Sequence, residues 1–129
     1  MKNVAIVTGA TSGVGREFVR QLDEMLHGSI DEIWAVARSA EGLSQLSETA
    51  QTPVRAFSLD LTDASAPRQL EMALELEQAA QGVNVAWLVN SAGSGWFGGY
   101  QDMGSSAVRR MVELNCLALA DITSAALPY

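Results

Sequence analysis

The sequence predicts an α/β fold in which a doubly wound parallel sheet carries helices on both faces. Short apolar runs typical of buried strands alternate with longer runs of helical periodicity along all 129 residues. The runs expected as first and fourth strands are almost wholly apolar, as parallel strands buried on both faces are. Strands that alternate with helices imply parallel pairing through right-handed crossovers, so we expect the strand order 3-2-1-4.

The predicted elements follow one another without a linker or an internal repeat, so we expect one domain. Strands are predicted at 3–7, 33–37, 54–59 and 83–89, and helices at 14–26, about 41–48, from 65 onwards and roughly 105–126. Ser65 is expected to cap the third helix. Six apolar residues of the first helix are expected to face the sheet: Val14, Phe18, Val19, Leu22, Met25 and Leu26.

Composition and charge exclude several classes of protein. A net charge of −7 argues against nucleic acid and anionic membranes as partners, and no apolar run is as long as a membrane span. Cys116 and His27 are the only residues of their types, so we predict no metal site and no internal disulfide. These features, with no signal peptide at the amino end, favour a cytoplasmic protein.

A glycine-rich stretch follows the first predicted strand and opens the first predicted helix. Its glycines are Gly9, Gly13 and Gly15. Glycine allows a tight reversal of the chain and a close approach of the backbone to a pyrophosphate, which then lies at the positive end of the helix. The stretch therefore predicts that the chain binds NAD or NADP.

Other polar segments follow the predicted second, third and fourth strands. They are Arg38, Asp60 and the stretch Asn90-Ser91-Ala92-Gly93. Ligands of doubly wound sheets bind beyond the carboxyl ends of the strands, where the strand order reverses. All of these segments are therefore expected at one site.

These segments together resemble the short-chain dehydrogenase/reductase family, and the likeness covers the whole chain. The glycines are separated by four and then two residues, which is the family's Thr-Gly-x-x-x-Gly-x-Gly pattern. Asp60-Leu61-Thr62, Asn90-Ser91-Ala92-Gly93 and Leu114-Asn115 follow in the family's order, with Ser91 as a common variant of the family's second asparagine. The resemblance implies a Rossmann-like fold and a nicotinamide dinucleotide as cofactor.

The resemblance also implies a role for each site residue. The backbone around Thr11, Ser12 and Val14 would hold phosphates and ribose, while Gly9 and Gly15 shape the turn. Asp60 would accept a hydrogen bond from the adenine amino group, with Leu61 beside the ring. The ribose next to nicotinamide would be lined by Asn90, Ala92 and Gly93. Asn90 could instead simply tie neighbouring strands together, or do both.

The residues after the second strand favour NADP over NAD. An NAD site places an acidic residue at the end of this strand, and Ala37 stands there. Arg38 follows, and a guanidinium can hold a 2′-phosphate through two hydrogen bonds. Ser12 and Ser39 could add donors. Alternatively, Arg38 only extends into solvent at a strand end.

Only one member of the family's catalytic tetrad is present. Asn115 occupies the position of the family's asparagine, which anchors a proton-relay water, or it makes only a local backbone bond. A Tyr-x-x-x-Lys pair is impossible, because Lys2 is the only lysine. The chain therefore resembles the amino-terminal half of a family member, truncated before the fifth strand, and we expect no hydride transfer from it alone. A non-catalytic module that binds or senses NAD(P) with a partner is the alternative.

The surfaces predict self-association. An unpaired edge of the fourth strand invites pairing with another chain, and the helix at about 105–126 is apolar nearly all round. We expect self-association through one or both of these surfaces. Trp96, Phe97 and Tyr100, in the loop after Gly93, either pack locally or contact substrate.

Overall fold

The computed structural model describes all 129 residues and contains one four-stranded parallel sheet. The strands are β1 (Lys2–Thr8), β2 (Glu32–Ala37), β3 (Val54–Ser58) and β4 (Val83–Asn90). Their order is β3-β2-β1-β4, and every neighbouring pair is parallel. The predicted α/β class and the predicted strand order are therefore confirmed.

The helices follow the predicted alternation, with one interruption near the end. They are α1 (Gly13–Leu26), α2 (Ala40–Thr49), α3 (Ser65–Gln81), α4 (Tyr100–Met103), α5 (Ser105–Val112) and α6 (Ala118–Ala126). A π-helical turn at Glu113–Leu117 joins α5 to α6, where the sequence predicted one continuous helix. None of the helices combines the length and the apolar character that crossing a membrane requires.

Two apolar clusters pack on the two faces of the sheet. Successive residues of β1 belong alternately to the two clusters, because successive side chains of a strand point to opposite faces of the sheet. Val4 and Ile6 belong to the cluster that contains α3 and α6, whereas Ala5 and Val7 belong to the cluster that contains α1 and α2. The carboxyl ends of the strands therefore lie between two helical layers.

Helix α1 buries a narrower stripe than its sequence predicted. Val19 and Leu22 are buried, but Val14, Phe18 and Met25 are 67%, 41% and 76% exposed. The three exposed residues share the helical spacing of the buried ones but lie together on one flank of the helix, turned about 100° or more from Val19. The prediction that they face the sheet is wrong.

The amino end of α3 is held by Asp63 and not by the side chain of Ser65. Asp63 Oδ1 accepts hydrogen bonds from the backbone N–H and from the hydroxyl of Ser65, both at 2.9 Å. A carboxylate is a stronger acceptor than a hydroxyl at the positive end of a helix. Ser65 is thus the first residue of the helix, and the predicted cap was wrong.

Candidate functional site

Close packing of backbone explains two of the glycines in the turn after β1. Gly9 has φ of +63°, and a Cβ there would lie 2.9 Å from the backbone nitrogen of Ala92. A Cβ on Gly15 would lie 2.1 Å from the carbonyl oxygen of Gly9. Side chains at these two positions would push the turn away from α1 and from the segment after β4.

The amino end of α1 is open towards the space above the sheet. Ser12 precedes the helix in extended conformation, and no side chain caps the first turn. Thr11 and Ser12 line a cleft at this end of the helix. Uncapped N–H groups and the helix dipole favour an anion there.

A buried hydroxyl brings the end of β4 to the glycine turn. Thr8 is 1% exposed, and its Oγ1 accepts hydrogen bonds from the backbone N–H groups of Ser91 and Ala92, both at 3.1 Å. The sequence reasoning gave Thr8 no role of its own. Its position as the last residue of a buried strand, directly before the first glycine, was the available signal.

A cleft of about 320 Å³ opens at the carboxyl ends of all four strands. It is lined by nine of the predicted binding residues: Gly9, Thr11, Ser12, Arg38, Asp60, Leu61, Ser91, Ala92 and Gly93. Gly13, Val14 and Gly15 form the first turn of α1 and do not line the cleft. The structure therefore brings most of the predicted set together, as the topology of the sheet requires.

Asn90 does not line the cleft. Its side-chain nitrogen donates a hydrogen bond of 3.0 Å to Thr123 Oγ1 on α6, and Thr123 in turn donates to the carbonyl oxygen of Leu119. Asn90 therefore connects β4 to α6, while Thr8 makes the connection between β1 and the segment after β4.

Asp60 offers one free acceptor to the cleft. The backbone N–H and the hydroxyl of Thr62 both donate to Asp60 Oδ1, at 3.0 and 2.7 Å, and no protein group bonds to Oδ2. These two bonds, followed by the positive charges of Arg110 and Arg38, hold the pKa of Asp60 below its ordinary value. The carboxylate is therefore ionised at neutral pH and can accept a donor from a ligand.

Two unpaired arginines line the cleft in a chain whose net charge is −7. Arg20, Arg55 and Arg68 all form ion pairs, whereas Arg38 and Arg110 form none. Arg38 follows β2 directly, and the last residue of that strand, Ala37, brings no acid to the site. This local positive charge suits a phosphorylated ligand.

The sequence analysis predicted no role for Arg110 or for Leu114. Both line the cleft from the side of α5 and the π-helical turn. Arg110 lies four residues before Leu114, so the helical spacing places both on one face of the helix. The spacing of four residues between Arg110 and Leu114, which belongs to the Leu114-Asn115 motif, could have identified Arg110 from the sequence.

Asn115 lies in the middle of the π-helical turn and holds the segment after β4. Its Oδ1 accepts from the backbone N–H of Ser94, and its Nδ2 donates to the carbonyl oxygen of Ser94, both at 2.8 Å. A Cβ on Gly93 would lie 3.1 Å from Asn115 Oδ1, so the backbone passes close to the amide. Both polar atoms of Asn115 are thus engaged by a segment distant in sequence.

The three aromatic residues after Gly93 do not line the cleft. Trp96, Phe97 and Tyr100 are all exposed, and Phe97 is fully so. No local packing accounts for Phe97 in this structure.

Comparison with known proteins gives one consistent family. The family model described as short chain dehydrogenase matches residues 3–129. A probable short-chain type dehydrogenase/reductase, VdlC, of Helicobacter pylori is 27% identical over 125 residues, which cover 97% of this chain and 42% of that protein.

Solved structures agree with this result. A metagenomic short-chain oxidoreductase in complex with NADP is 28% identical, with a TM-score of 0.81 over 98% of this chain and 55% of that one. A short-chain dehydrogenase from Sphingobium yanoikuyae in complex with NADPH is 25% identical, with a TM-score of 0.76 over 99% of this chain and 48% of that one.

The chain spans about half the length of the relatives that it matches. The match nevertheless runs through β1 to the end of α6, and it includes the glycine turn, the strand order and the cleft. Members of the family are oxidoreductases that use a nicotinamide dinucleotide. This chain belongs to the short-chain dehydrogenase family.

Proposed function

We propose that residues 1–129 are the cofactor-binding part of an NADP(H)-dependent oxidoreductase that transfers hydride between nicotinamide and a carbonyl or alcohol substrate. In this proposal they form a Rossmann domain that is incomplete at its carboxyl-terminal end. The observation that carries the proposal is the cleft at the carboxyl ends of the strands, where an uncapped helix terminus and the unpaired Arg38 lie together.

The residues of the cleft fit a dinucleotide. The pyrophosphate would lie against the amino end of α1, beside Thr11 and Ser12, in the turn that the close packing of Gly9 and Gly15 shapes. Asp60 Oδ2 would accept from the adenine amino group, with Leu61 beside the ring. When bound, the nicotinamide would supply or accept the hydride.

The preference for NADP rests on the end of β2. Arg38 is exposed, unpaired and directed to the cleft, so it can hold a 2′-phosphate in two charge-assisted hydrogen bonds. Ala37 offers no carboxylate to a ribose 2′-hydroxyl. The two similar structures bound to NADP and NADPH support the same choice.

We propose that hydride transfer needs groups outside these residues. The 129 residues contain no Tyr-x-x-x-Lys pair, and the matched relatives are about twice as long. Asn115 is the one tetrad residue present, and its two bonds to Ser94 would fix the loop next to the nicotinamide end. The continuation of the chain or a partner would supply the proton donor.

A titration of the chain with NADPH and NADH tests the preference. We expect NADPH to bind more tightly, and Arg38→Ala to weaken NADPH by about 10- to 100-fold while NADH changes little, since a hydrogen bond to a charged group contributes roughly 1.5–3 kcal/mol. Arg109→Ala removes an equal charge outside the cleft and serves as the control. Equal affinities for the two cofactors in the unmodified chain would refute the NADP assignment.

We also propose that the chain self-associates, in a cytoplasmic setting that keeps Cys116 reduced. β4 pairs with β1 alone, and Trp87 on this edge is 49% exposed. Val112 and Leu117 on the last helical stretch are 54% and 55% exposed. Sedimentation velocity should show a species larger than the monomer, and Trp87→Lys should weaken it if the edge is used. A strictly monomeric chain over the accessible concentrations would refute self-association.

A further inference from the structure

Arg110 lines the same cleft as Asp60. It lies on α5, is exposed, and makes neither an ion pair nor a side-chain hydrogen bond within the chain. Its positive charge acts on Asp60, yet the two side chains form no ion pair with each other. Two opposite charges that line one cleft without forming an ion pair leave room between them for part of a ligand.

The surroundings of this gap suit a flat base better than a phosphate. Leu61 is buried, Leu114 is half-buried, and Asp60 presents a free acceptor oxygen. A phosphate beside Asp60 would be repelled by the carboxylate, whereas an exocyclic amino group would donate to it. Apolar walls and one acceptor are the complement of an adenine ring.

We propose that Arg110 packs its guanidinium plane on the adenine ring of the bound dinucleotide and so holds the base from the side of α5. A guanidinium is planar and weakly hydrated, and it stacks on bases and other aromatic faces. The inference rests on the proposed function, because it assumes that the cleft binds a dinucleotide. It gives the two arginines of the cleft different tasks: Arg38 binds the 2′-phosphate, and Arg110 binds the base.

Binding of three ligands to matched variants tests this assignment. NADPH, NADH and 5′-AMP all carry adenine, but only NADPH carries the 2′-phosphate. We expect Arg110→Ala to weaken all three by a similar factor, about 5- to 30-fold, because a desolvated guanidinium–ring contact is worth roughly 1–2 kcal/mol. Arg109→Ala, which removes the neighbouring charge outside the cleft, should change each affinity less than about twofold.

The variant Arg110→Lys separates stacking from charge. Lysine keeps the positive charge but lacks the planar group, so we expect most of the loss to persist. Full recovery by lysine, a loss confined to NADPH, or no loss in Arg110→Ala would each overturn the inference while the proposed function stands. Failure of the unmodified chain to bind any of the three ligands would overturn the proposed function and this inference with it.

Discussion

The hydroxyl of Thr8 provides the most direct test of how the site is assembled. Thr8→Val keeps the shape of the side chain and removes the acceptor of the two N–H groups after β4. Each such bond contributes roughly 1 kcal/mol, and N–H groups that partly face a cleft recover some water, so we expect a loss of about 2 kcal/mol in unfolding free energy. Thr8→Ser keeps the hydroxyl and removes one buried methyl group, at a cost of about 1 kcal/mol.

Urea unfolding, followed by circular dichroism and extrapolated to water, measures both variants. If the hydroxyl organises the site, Thr8→Val is the less stable of the two. If Thr8 only fills space, the order is reversed, because valine keeps the buried methyl group and serine loses it. A valine variant as stable as the unmodified chain would refute the role assigned to Thr8.

Two further variants test local features of the fold. Asp23 is buried, which opposes its ionisation, but two backbone N–H groups donate to it and its pKa lies below the ordinary value. The stability that Asp23 contributes is therefore present above its unfolded-state pKa and is lost as the pH falls through its lowered folded-state pKa. Asp23→Asn should reduce the loss of unfolding free energy, measured with urea, between pH 7 and about pH 3. An unchanged dependence of the unfolding free energy on pH would contradict this. Gly15→Ala should lower the unfolding free energy by at least about 2 kcal/mol in the same assay, because the added Cβ would clash with Gly9. Gly95→Ala should lower it little, because there is open space around Gly95. Equal losses in the two variants would count against the close packing of the turn.

The sheet and the glycine turn could be predicted because their signals are local. Apolar runs of strand length that alternate with runs of helical periodicity predict a parallel sheet. The right-handedness of the crossover connections then allows only a few strand orders. Gly9 and Gly15 lie within a single strand–turn–helix unit, so their spacing alone predicts the turn between β1 and α1. The carboxyl ends of the strands follow from the same topology, and they bring Arg38 and Asp60 into one cleft.

Features that depend on packing between distant elements could not be predicted in the same way. Arg110 reaches the cleft only because α5 lies beside the ends of β3 and β4. Phe18 carries the periodicity of a buried residue, yet the sheet covers only one narrow side of α1. The partner of Asn115 is Ser94, which is distant along the chain, so no local pattern could identify it.

The π-helical turn at Glu113–Leu117 separates two requirements within one helical stretch. Ile122 on α6 is buried in the core, whereas Arg110 on α5 faces the cleft. Each residue of a helix turns the chain by about 100°, so loss of one residue from this turn would rotate α5 against α6 by about that angle. The core would keep Ile122, but Arg110 would leave the cleft and Asn115 would leave Ser94. The extra residue of the π-helical turn therefore allows α5 to direct Arg110 to the cleft while α6 keeps Ile122 in the core.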